Sequence, residues 1–335
     1  MPDQNLLEER NADYRHYRIA GTPAELGAAM AAQAPAIAAD EGVERMTAGR
    51  LRHARDCRAL TAEIAPRLVE EIDAYADAQG LPRDALLWHY GLGVEGACSA
   101  VVVRSADGLV VARNYDFFYF ESRRHLIETA PDQGLAHLGM HEGLAAGRFD
   151  GLNAAGLFVA FNGAGPHPDP APAGMPFQLV VRWLLETCTS VAQARDLLLS
   201  LPLKEPKSYL LADAHDACVI EATPQRRAVR VLEQSGMLAM TNHFLSPEMA
   251  ALCPEWDNSL ARYRRLCAGA PLGLSRTATV EGLQRLMADH EAPLCGHDDG
   301  LATFWSAVAV PGNGEIRYSL GAPCRNPFQV FHVPA

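Results

Sequence analysis

Hydrophobic residues recur at helical spacing through the first quarter of the chain. Thr22, Pro23 and Glu25 supply an N-cap, a first-turn proline and a capping-box acid, which together mark the start of a helix. Farther along, apolar residues occur at every third or fourth position from residue 60 to residue 75. The pattern predicts that residues 22–90 are mainly helical and that the rest of the protein covers one amphipathic face of these helices.

Short apolar runs rich in β-branched residues replace the helical spacing beyond residue 97. Residues 98–104 and 109–116 predict two antiparallel strands, and the Ser-Ala-Asp-Gly stretch at 105–108 predicts the turn between them. A second turn at 153–156 precedes an apolar strand at 157–162. The sequence therefore predicts a mainly β region that begins with a hairpin, in which the start of the first strand lies across from the end of the second.

The second half of the chain contains separate blocks of helices and strands. Helical spacing returns at residues 177–200, and four short β runs follow between residues 207 and 242. Residues 246–300 are predicted to form helices and loops, followed by two strands at 303–310 and 315–320. Blocks of this kind indicate helices layered on sheets rather than alternating βαβ units.

Composition and charge narrow the class of protein. With 335 residues, 49% of them hydrophobic, the chain can bury a large core and form one large domain or two. A net charge of −11 argues against nucleic acid as a partner. The charged start and the lack of an apolar run of membrane-spanning length predict a protein without a membrane partner. Eight cysteines without a Cys-x-x-Cys spacing are typical of reduced thiols, so we expect a cytoplasmic protein.

The ends of the predicted hairpin bring reactive groups together. Cys98 opens the first strand, and Arg113 and Asp116 lie at the end of the second. A guanidinium near a thiol favours the thiolate, and a carboxylate near an amine favours the ammonium. Both charges matter if Cys98 becomes the first residue of a chain.

This hairpin resembles the nucleophile hairpin of N-terminal-nucleophile hydrolases of the isopenicillin N acyltransferase type, which are distantly related to penicillin V acylases and bile salt hydrolases. That family has a cysteine followed about fifteen residues later by Arg-Asn-x-Asp, which corresponds to Cys98 and to Arg113 through Asp116. In the family, the precursor cleaves its own chain before the cysteine. The residue before that cysteine is usually glycine, whereas this chain has Ala97, which lacks the freedom of glycine at positive φ. The resemblance therefore leaves open whether cleavage occurs here.

Two further motifs carry the resemblance. A Gly-x-Asn-x-x-Gly-Leu stretch precedes a strand that ends at Asn162, and a Thr-Asn-His signature contains Asn242 and His243. The resemblance implies that the backbone N–H of Asn162 and the side-chain amide of Asn242 form an oxyanion hole. Ser306 lies where the family places a strand serine near the acyl site. If Asn162 and Asn242 had no catalytic role, each would simply be a turn residue at the end of a strand.

The resemblance implies an α+β fold, specifically a four-layer αββα sandwich. Residues 1–97 would form a helical pro-segment that packs on the core and stays associated after cleavage. Residues 98–335 would form the catalytic domain, with Cys98 as its first residue. A higher oligomer of the two-chain product is possible.

The implied chemistry is nucleophilic catalysis by Cys98 through an acyl-thioester intermediate. The freed α-amine would take the thiol proton, Arg113 would stabilise the thiolate, and Asp116 would hold the amine. Tyr115, His243 and Ser306 are the candidate pocket residues, and the chemistry needs no cofactor. We predict a hydrolase that cleaves a linear N-acyl amide of a small molecule, with acyl transfer to an amine as the alternative.

Two other functions stay open from the sequence. His243 and Cys98 could form a dyad of the papain type, which would make the protein a conventional thiol hydrolase with an uncut chain. A sandwich that only binds an acylated ligand would give no reason for the reactive residues of the hairpin to occur together with Asn242. Arg262, Arg264 and Arg265 are the nearest candidate for a coenzyme A site, but their spacing predicts a solvated helix face.

A short stretch near residue 295 contains possible metal ligands. His290, Cys295, His297 and Asp298 are four potential zinc ligands within nine residues. No second pair occurs at zinc-finger spacing, and Gly296 with neighbouring acids predicts a solvated turn. The sequence therefore predicts no metal.

Overall fold

The fold consists of two stacked β-sheets with helices on both outer faces. A computed structural model of the protein describes residues 13–34, 46–91, 96–118, 123–165, 172–233, 236–253, 256–297 and 301–333. The strands in these residues are β1 (Asp13–Gly21), β2 (Ala97–Ser105), β3 (Gly108–Phe118), β4 (Arg123–Pro131), β5 (His137–Glu142), β6 (Asp150–Asn153), β7 (Phe158–Gly163), β8 (Lys207–Ala212), β9 (Ala217–Ala222), β10 (Arg227–Val231), β11 (Met237–Met240), β12 (Leu301–Val310), β13 (Glu315–Leu320) and β14 (Gln329–His332). The α-helices are α1 (Pro23–Gln33), α2 (Ala48–Ile64), α3 (Pro66–Ala78), α4 (Trp88–Gly91), α5 (Phe177–Thr187), α6 (Val191–Ser200), α7 (Pro247–Ala250), α8 (Asp257–Gly269) and α9 (Arg276–Met287).

Each sheet has a simple strand order. In the described residues, the first sheet has the order β1-β4-β5-β6-β7-β8-β9-β10, and the second has the order β11-β2-β3-β12-β13-β14. β1 and β4 are parallel, whereas the other neighbours are antiparallel. The predicted hairpin is β2 and β3 of the second sheet, with its turn closed by the pair Ser105 and Gly108. The hairpin prediction is confirmed.

Helices cover the outer face of each sheet. α5 and α6 pack on β6 to β9 of the first sheet, while α8 and α9 pack on β2, β3, β11 and β12 of the second. Val102 and Val111 face the first sheet, whereas Val101 and Ala112 face the helices on the other side. Because both faces of β2 and β3 are buried, the strands contain continuous apolar runs at 100–103 and 109–112. The result is the four-layer αββα sandwich, an α+β fold, that the sequence predicted.

A strand pairing and a buried ion pair are among the contacts that attach the segment before β2 to the core. β1 extends the edge of the first sheet by pairing with β4. Arg182 of α5 forms buried ion pairs with Glu71 of α3, at 3.1 Å, and with Glu186 of its own helix, at 2.7 Å. Removing one partner would leave a buried charge without compensation, which is strongly destabilising. The segment is therefore integrated into the core.

In the described part of residues 22–90, the helical prediction is confirmed by α1 to α4. Thr22 caps α1 in the predicted capping box. The long apolar run divides into α2 and α3 at Pro66, because the residue before a proline disfavours the α region. Accordingly, Ala65 has φ −136° and ψ 64°.

The predicted pro-segment of residues 1–97 is not purely helical, since it contains β1 and the first residue of β2. The strand β1 was not predicted, because its arginines, histidine and tyrosines lack the apolar alternation of a half-buried strand. Within this segment, residues 1–12, 35–45 and 92–95 lie outside the described residues. The division into domains at residue 97 stays a prediction.

Candidate active site

Cys98 lies at the start of β2, with its side chain in the core between the two sheets. It pairs with Tyr115 of β3 and is 1% exposed. Burial raises the pKa of the Cys98 thiol to about 11 in the uncut chain, while the nearby Arg113 lowers that pKa and the Asp116 carboxyl raises it. The backbone of Asp116 also forms a hydrogen bond with the thiol. In the uncut chain, the thiol is therefore mostly protonated at neutral pH.

Asn242 forms hydrogen bonds with the backbone of the residues on either side of Ala97. Its Oδ1 accepts a hydrogen bond from the backbone N–H of Cys98 at 2.9 Å, and its Nδ2 donates to the carbonyl oxygen of Gly96 at 2.6 Å. Nδ2 also donates to the carbonyl oxygen of Gly163 at 2.9 Å, at the end of β7. The residue follows β11, which pairs with β2, so the ladder fixes it beside the nucleophile.

Arg262 of α8 completes the surroundings of Cys98, and the sequence prediction of a solvated position for it is wrong. Its guanidinium donates to the carbonyl oxygen of Cys98, to Ser99 Oγ at 2.9 Å and to Asn242 Oδ1 at 2.7 Å. Arg264 on the same helix is exposed, as predicted. The helical period offered a signal, because Arg262 falls on the buried stripe of α8 with Ser259 and Leu266.

Arg113 lies on the same face of the second sheet as the thiol, but its charge is paired elsewhere. It forms a buried ion pair with Asp150 of β6 at 2.5 Å and donates to the carbonyl oxygen of Phe161 at 2.8 Å. Asp150 also accepts a hydrogen bond from Trp305 Nε1 at 2.8 Å. This network joins the two sheets, and the positive charge of Arg113 lowers the pKa of the Cys98 thiol electrostatically. Asp150 was not predicted from the sequence, because the partner of a buried arginine is set by tertiary structure.

Asp116 is paired with Ala97 in the ladder and lies on the helix-facing side of the second sheet. Thr303 Oγ1 donates a hydrogen bond to Asp116 Oδ1 at 2.6 Å. Burial raises the pKa of the Asp116 carboxyl to about 7, while Arg262 lowers it. A positive charge placed beside this carboxyl would favour its ionised form.

Asn162 joins the two sheets next to Asn242. Its Nδ2 donates to the carbonyl oxygens of Met240 and Thr241 at 3.3 and 3.2 Å, respectively. The side chain therefore fixes the end of β7 against the end of β11. The oxyanion role expected of its backbone N–H stays a prediction.

The three candidate pocket residues occupy different environments. Tyr115 lies on the face of the sheet that carries the thiol, and its ring stacks on Trp305 with centroids 3.9 Å apart. His243 Nδ1 lies 2.8 Å from Ser259 Oγ, so the imidazole is oriented by α8. Ser306 pairs with the helix-facing Asn114 and donates to the backbone carbonyl of Arg113 at 3.2 Å. Of these three residues, Tyr115 lies on the same face of the second sheet as the Cys98 thiol.

Residues 103–324 match the family model described as acyl-coenzyme A:6-aminopenicillanic acid acyl-transferase. The chain belongs to this family. It is 27% identical over 276 residues to the acyl-coenzyme A:6-aminopenicillanic-acid-acyltransferase 40 kDa form of Emericella nidulans, an alignment that covers 75% of this chain and 76% of the relative.

Two solved structures are similar to this chain at low sequence identity. The R18L variant of conjugated bile acid hydrolase from Clostridium perfringens is similar with a TM-score of 0.50 and 14% identity, covering 70% of this chain and 92% of that one. The N-acylethanolamine-hydrolyzing acid amidase ortholog of Caenorhabditis elegans has a TM-score of 0.47 and 16% identity, covering 64% and 93%. At 14% identity, the similarity to the bile acid hydrolase shows the fold alone.

Membership in the acyl-transferase family confirms the resemblance inferred from the hairpin. It makes the protein an enzyme of the class that hydrolyses or transfers acyl groups at linear amides. The matched region begins at Val103, five residues after Cys98, so the choice of nucleophile depends on the hairpin and its contacts. In the described residues, no helix is long and apolar enough to cross a membrane.

Proposed function

We propose that the protein is a cysteine amidohydrolase that activates itself by cleaving the bond between Ala97 and Cys98. Its mature form would hydrolyse a linear N-acyl amide of a small molecule. The observation that carries the proposal is the hydrogen bond from the backbone nitrogen of Cys98 to Asn242 Oδ1. Cleavage would turn this nitrogen into a free α-amine that Asn242 already positions.

Self-cleavage would use the same nucleophile as the later reaction. The Cys98 thiol attacks the carbonyl carbon of Ala97, and the peptide nitrogen takes a proton and leaves as the α-amine. Water then hydrolyses the resulting thioester, which gives an Ala97 carboxylate and restores the thiol. Because Asn242 Nδ2 donates to Gly96 before cleavage, departure of Gly96 would free that N–H.

Hydrolysis of an external amide would follow with the freed groups. The α-amine, with an ordinary pKa of about 7.7–8.0, takes the thiol proton and passes it to the leaving amine. The freed Asn242 N–H and the backbone N–H of Asn162 would stabilise the tetrahedral oxyanion. Asp116 would then hold the α-ammonium, and the nearby positive charge of Arg113 would favour the Cys98 thiolate.

Arg262 would act as a positioning residue in this reaction. It holds the carbonyl oxygen of Cys98 and the Oδ1 of Asn242 at the same time. The nucleophile and the predicted oxyanion donor therefore share one buried guanidinium, and a shift of either one would disturb the other. The buried pair of Arg182 with Glu71 supports the further proposal that the two chains stay associated after cleavage.

Mass spectrometry of the purified protein tests the processing step. Cleavage before Cys98 of a 36.2 kDa chain should give fragments of about 10 and 26 kDa, formed by the thiol itself. Cys98→Ala should leave one chain, whereas Cys218→Ala, which removes another buried thiol on β9, should still be processed. An active preparation that consists only of the full-length chain would refute the free-amine mechanism and favour a dyad with His243.

Acyl transfer is the second candidate function, and the description of the family favours it. Both reactions pass through acyl-Cys98, so the product depends on whether water or a bound amine reaches the thioester first. A panel of N-acyl amines would identify a substrate, and that substrate should then be incubated with rising concentrations of a second amine. Free acid as the main product supports the hydrolase. New amide at low acceptor concentration would assign acyl transfer instead.

A further inference from the structure

A cluster of two histidines and two cysteines lies outside the candidate active site. His290, Cys295 and His297 precede β12, and Cys324 follows β13. One ligand atom from each of the four side chains lies within 4.8 Å of all the others. His297 Nε2 is 3.3 Å from Cys295 Sγ and 3.1 Å from Cys324 Sγ. We propose that these four side chains bind one zinc ion.

The geometry and the ligand types both fit zinc. Tetrahedral zinc has Zn–S distances of about 2.3 Å and Zn–N distances of about 2.0–2.1 Å, which places neighbouring ligand atoms about 3.6 Å apart. The two distances from His297 Nε2 to the sulfur atoms, 3.3 and 3.1 Å, are close to this value, and the four ligand atoms all lie within 4.8 Å of one another before any ion draws them together. Two thiolates with two imidazoles are soft and borderline ligands, which disfavours calcium and magnesium. Four protein ligands leave no open position, so the ion would be structural.

The sequence predicted no metal because no second ligand pair occurs at zinc-finger spacing. Cys324 lies 27 residues beyond His297 and reaches the cluster through the antiparallel pairing of β12 with β13. It replaces Asp298, which lies outside the described residues. The fourth ligand, Cys324, could not be predicted from the sequence because strand pairing, and not spacing in the sequence, brings it to the cluster.

The zinc would stabilise a loop that contacts the hairpin of Cys98. Gly296, between two of the ligands, donates its N–H to Thr303 Oγ1 at 2.9 Å and accepts the N–H of Thr303 at 3.0 Å. Thr303 in turn donates to Asp116. Two residues before Gly296, the carbonyl oxygen of Leu294 accepts a hydrogen bond from Asn114 Nδ2 at 2.6 Å. The ion would thus fix the loop that orients Asp116, whichever reaction the hairpin performs.

Metal analysis of the full-length protein, purified without chelators, tests the site. We expect about one zinc per chain, and we expect Cys295→Ser and Cys324→Ser to lose it. Cys267→Ser is the matched control, because this half-buried thiol lies on α8 outside the cluster and should leave the zinc content unchanged. After exchange of zinc for cobalt, the native protein should show thiolate-to-cobalt charge-transfer absorption, a readout that does not require any variant to fold.

Three results would overturn the proposal. One is the lack of zinc or cobalt binding by folded, reduced protein, and another is full zinc content in Cys324→Ser. The third is a mass lower by two hydrogens together with a peptide that links Cys295 to Cys324, which would assign a disulfide to the same two thiols. A chelator should also lower the melting temperature of the native protein but not that of Cys324→Ser.

Discussion

Replacing Asn242 by alanine should separate a catalytic amide from a structural one, because the chain contains a matched control. Asn153, the last residue of β6, is also buried, and its side chain makes the same number of hydrogen bonds, far from the thiol in the sequence. Asn242 bonds to Cys98, Arg262, Gly96 and Gly163, and Asn153 bonds to Leu185, Cys188, Ala155 and Leu157.

The two substitutions should cost similar stability but different rates. In each case, two backbone carbonyl oxygens lose a donor, and a buried polar group left unpaired costs about 1–3 kcal/mol. We therefore expect comparable losses in the free energy of unfolding for Asn242→Ala and Asn153→Ala. Only Asn242→Ala should lower kcat, by about 10²–10³, which is the usual effect of removing one oxyanion donor.

The assay should measure three quantities in parallel for each variant. Chemical denaturation gives the free energy of unfolding, a thiol probe gives the accessibility of Cys98, and kcat is normalised to the processed fraction found by mass spectrometry. A normal kcat in processed Asn242→Ala would refute the oxyanion role. Loss of folding in this variant alone would show that Asn242 is a structural turn residue.

Three further predictions concern charge and proton transfer. Arg262 lowers the pKa of both Asp116 and the Cys98 thiol, so Arg262→Met should move the pH dependence of thiol alkylation to higher pH. Arg264→Met, at an exposed position, should leave this pH dependence unchanged. An unchanged pH dependence in Arg262→Met would contradict the prediction. Burial raises the pKa of Asp116 to about 7, so the folded chain binds this proton more tightly than the unfolded chain does. The free energy of unfolding of the uncut Cys98→Ala chain should therefore fall as pH rises from about 4 to about 7, and Asp116→Asn should remove that slope in denaturant titrations. His243→Asn should keep kcat within about tenfold, since a lost general base costs about 10²–10⁴.

Many helices and strands could be predicted because their sequence signals lie within the element itself. The β2–β3 hairpin has a β-branched run on each side of a turn sequence, and its chemistry-bearing residues sit at the strand ends. The capping box at Thr22 was equally local and is present. The break at Pro66 was overlooked because the apolar period continues across it, although the proline itself signals a boundary.

The candidate site was predictable only in part, because burial of charge depends on distant partners. The sequence around Arg262, with Arg264 and Arg265, is typical of a solvated helix face. Its burial follows from contacts with Cys98, which is more than a hundred residues earlier, and with Asn242, which follows another strand. Asp150 lacks a sequence signal, since its partners come from β3, β12 and β13. Tertiary pairing of this kind leaves no period or motif in the sequence.

The position of β1 has a consequence for how the protein can be produced and handled. β1 covers the backbone of β4, whose residues Leu126 and Ile127 are fully buried. A polypeptide that starts at Cys98 would leave the backbone of this strand unpaired at the sheet edge, which is a template for aggregation. The arginines at 15 and 18 of β1 are exposed and place charge along the edge of the complete sheet. We therefore expect that a polypeptide starting at Cys98 is soluble only when it is co-expressed with the segment that contains β1.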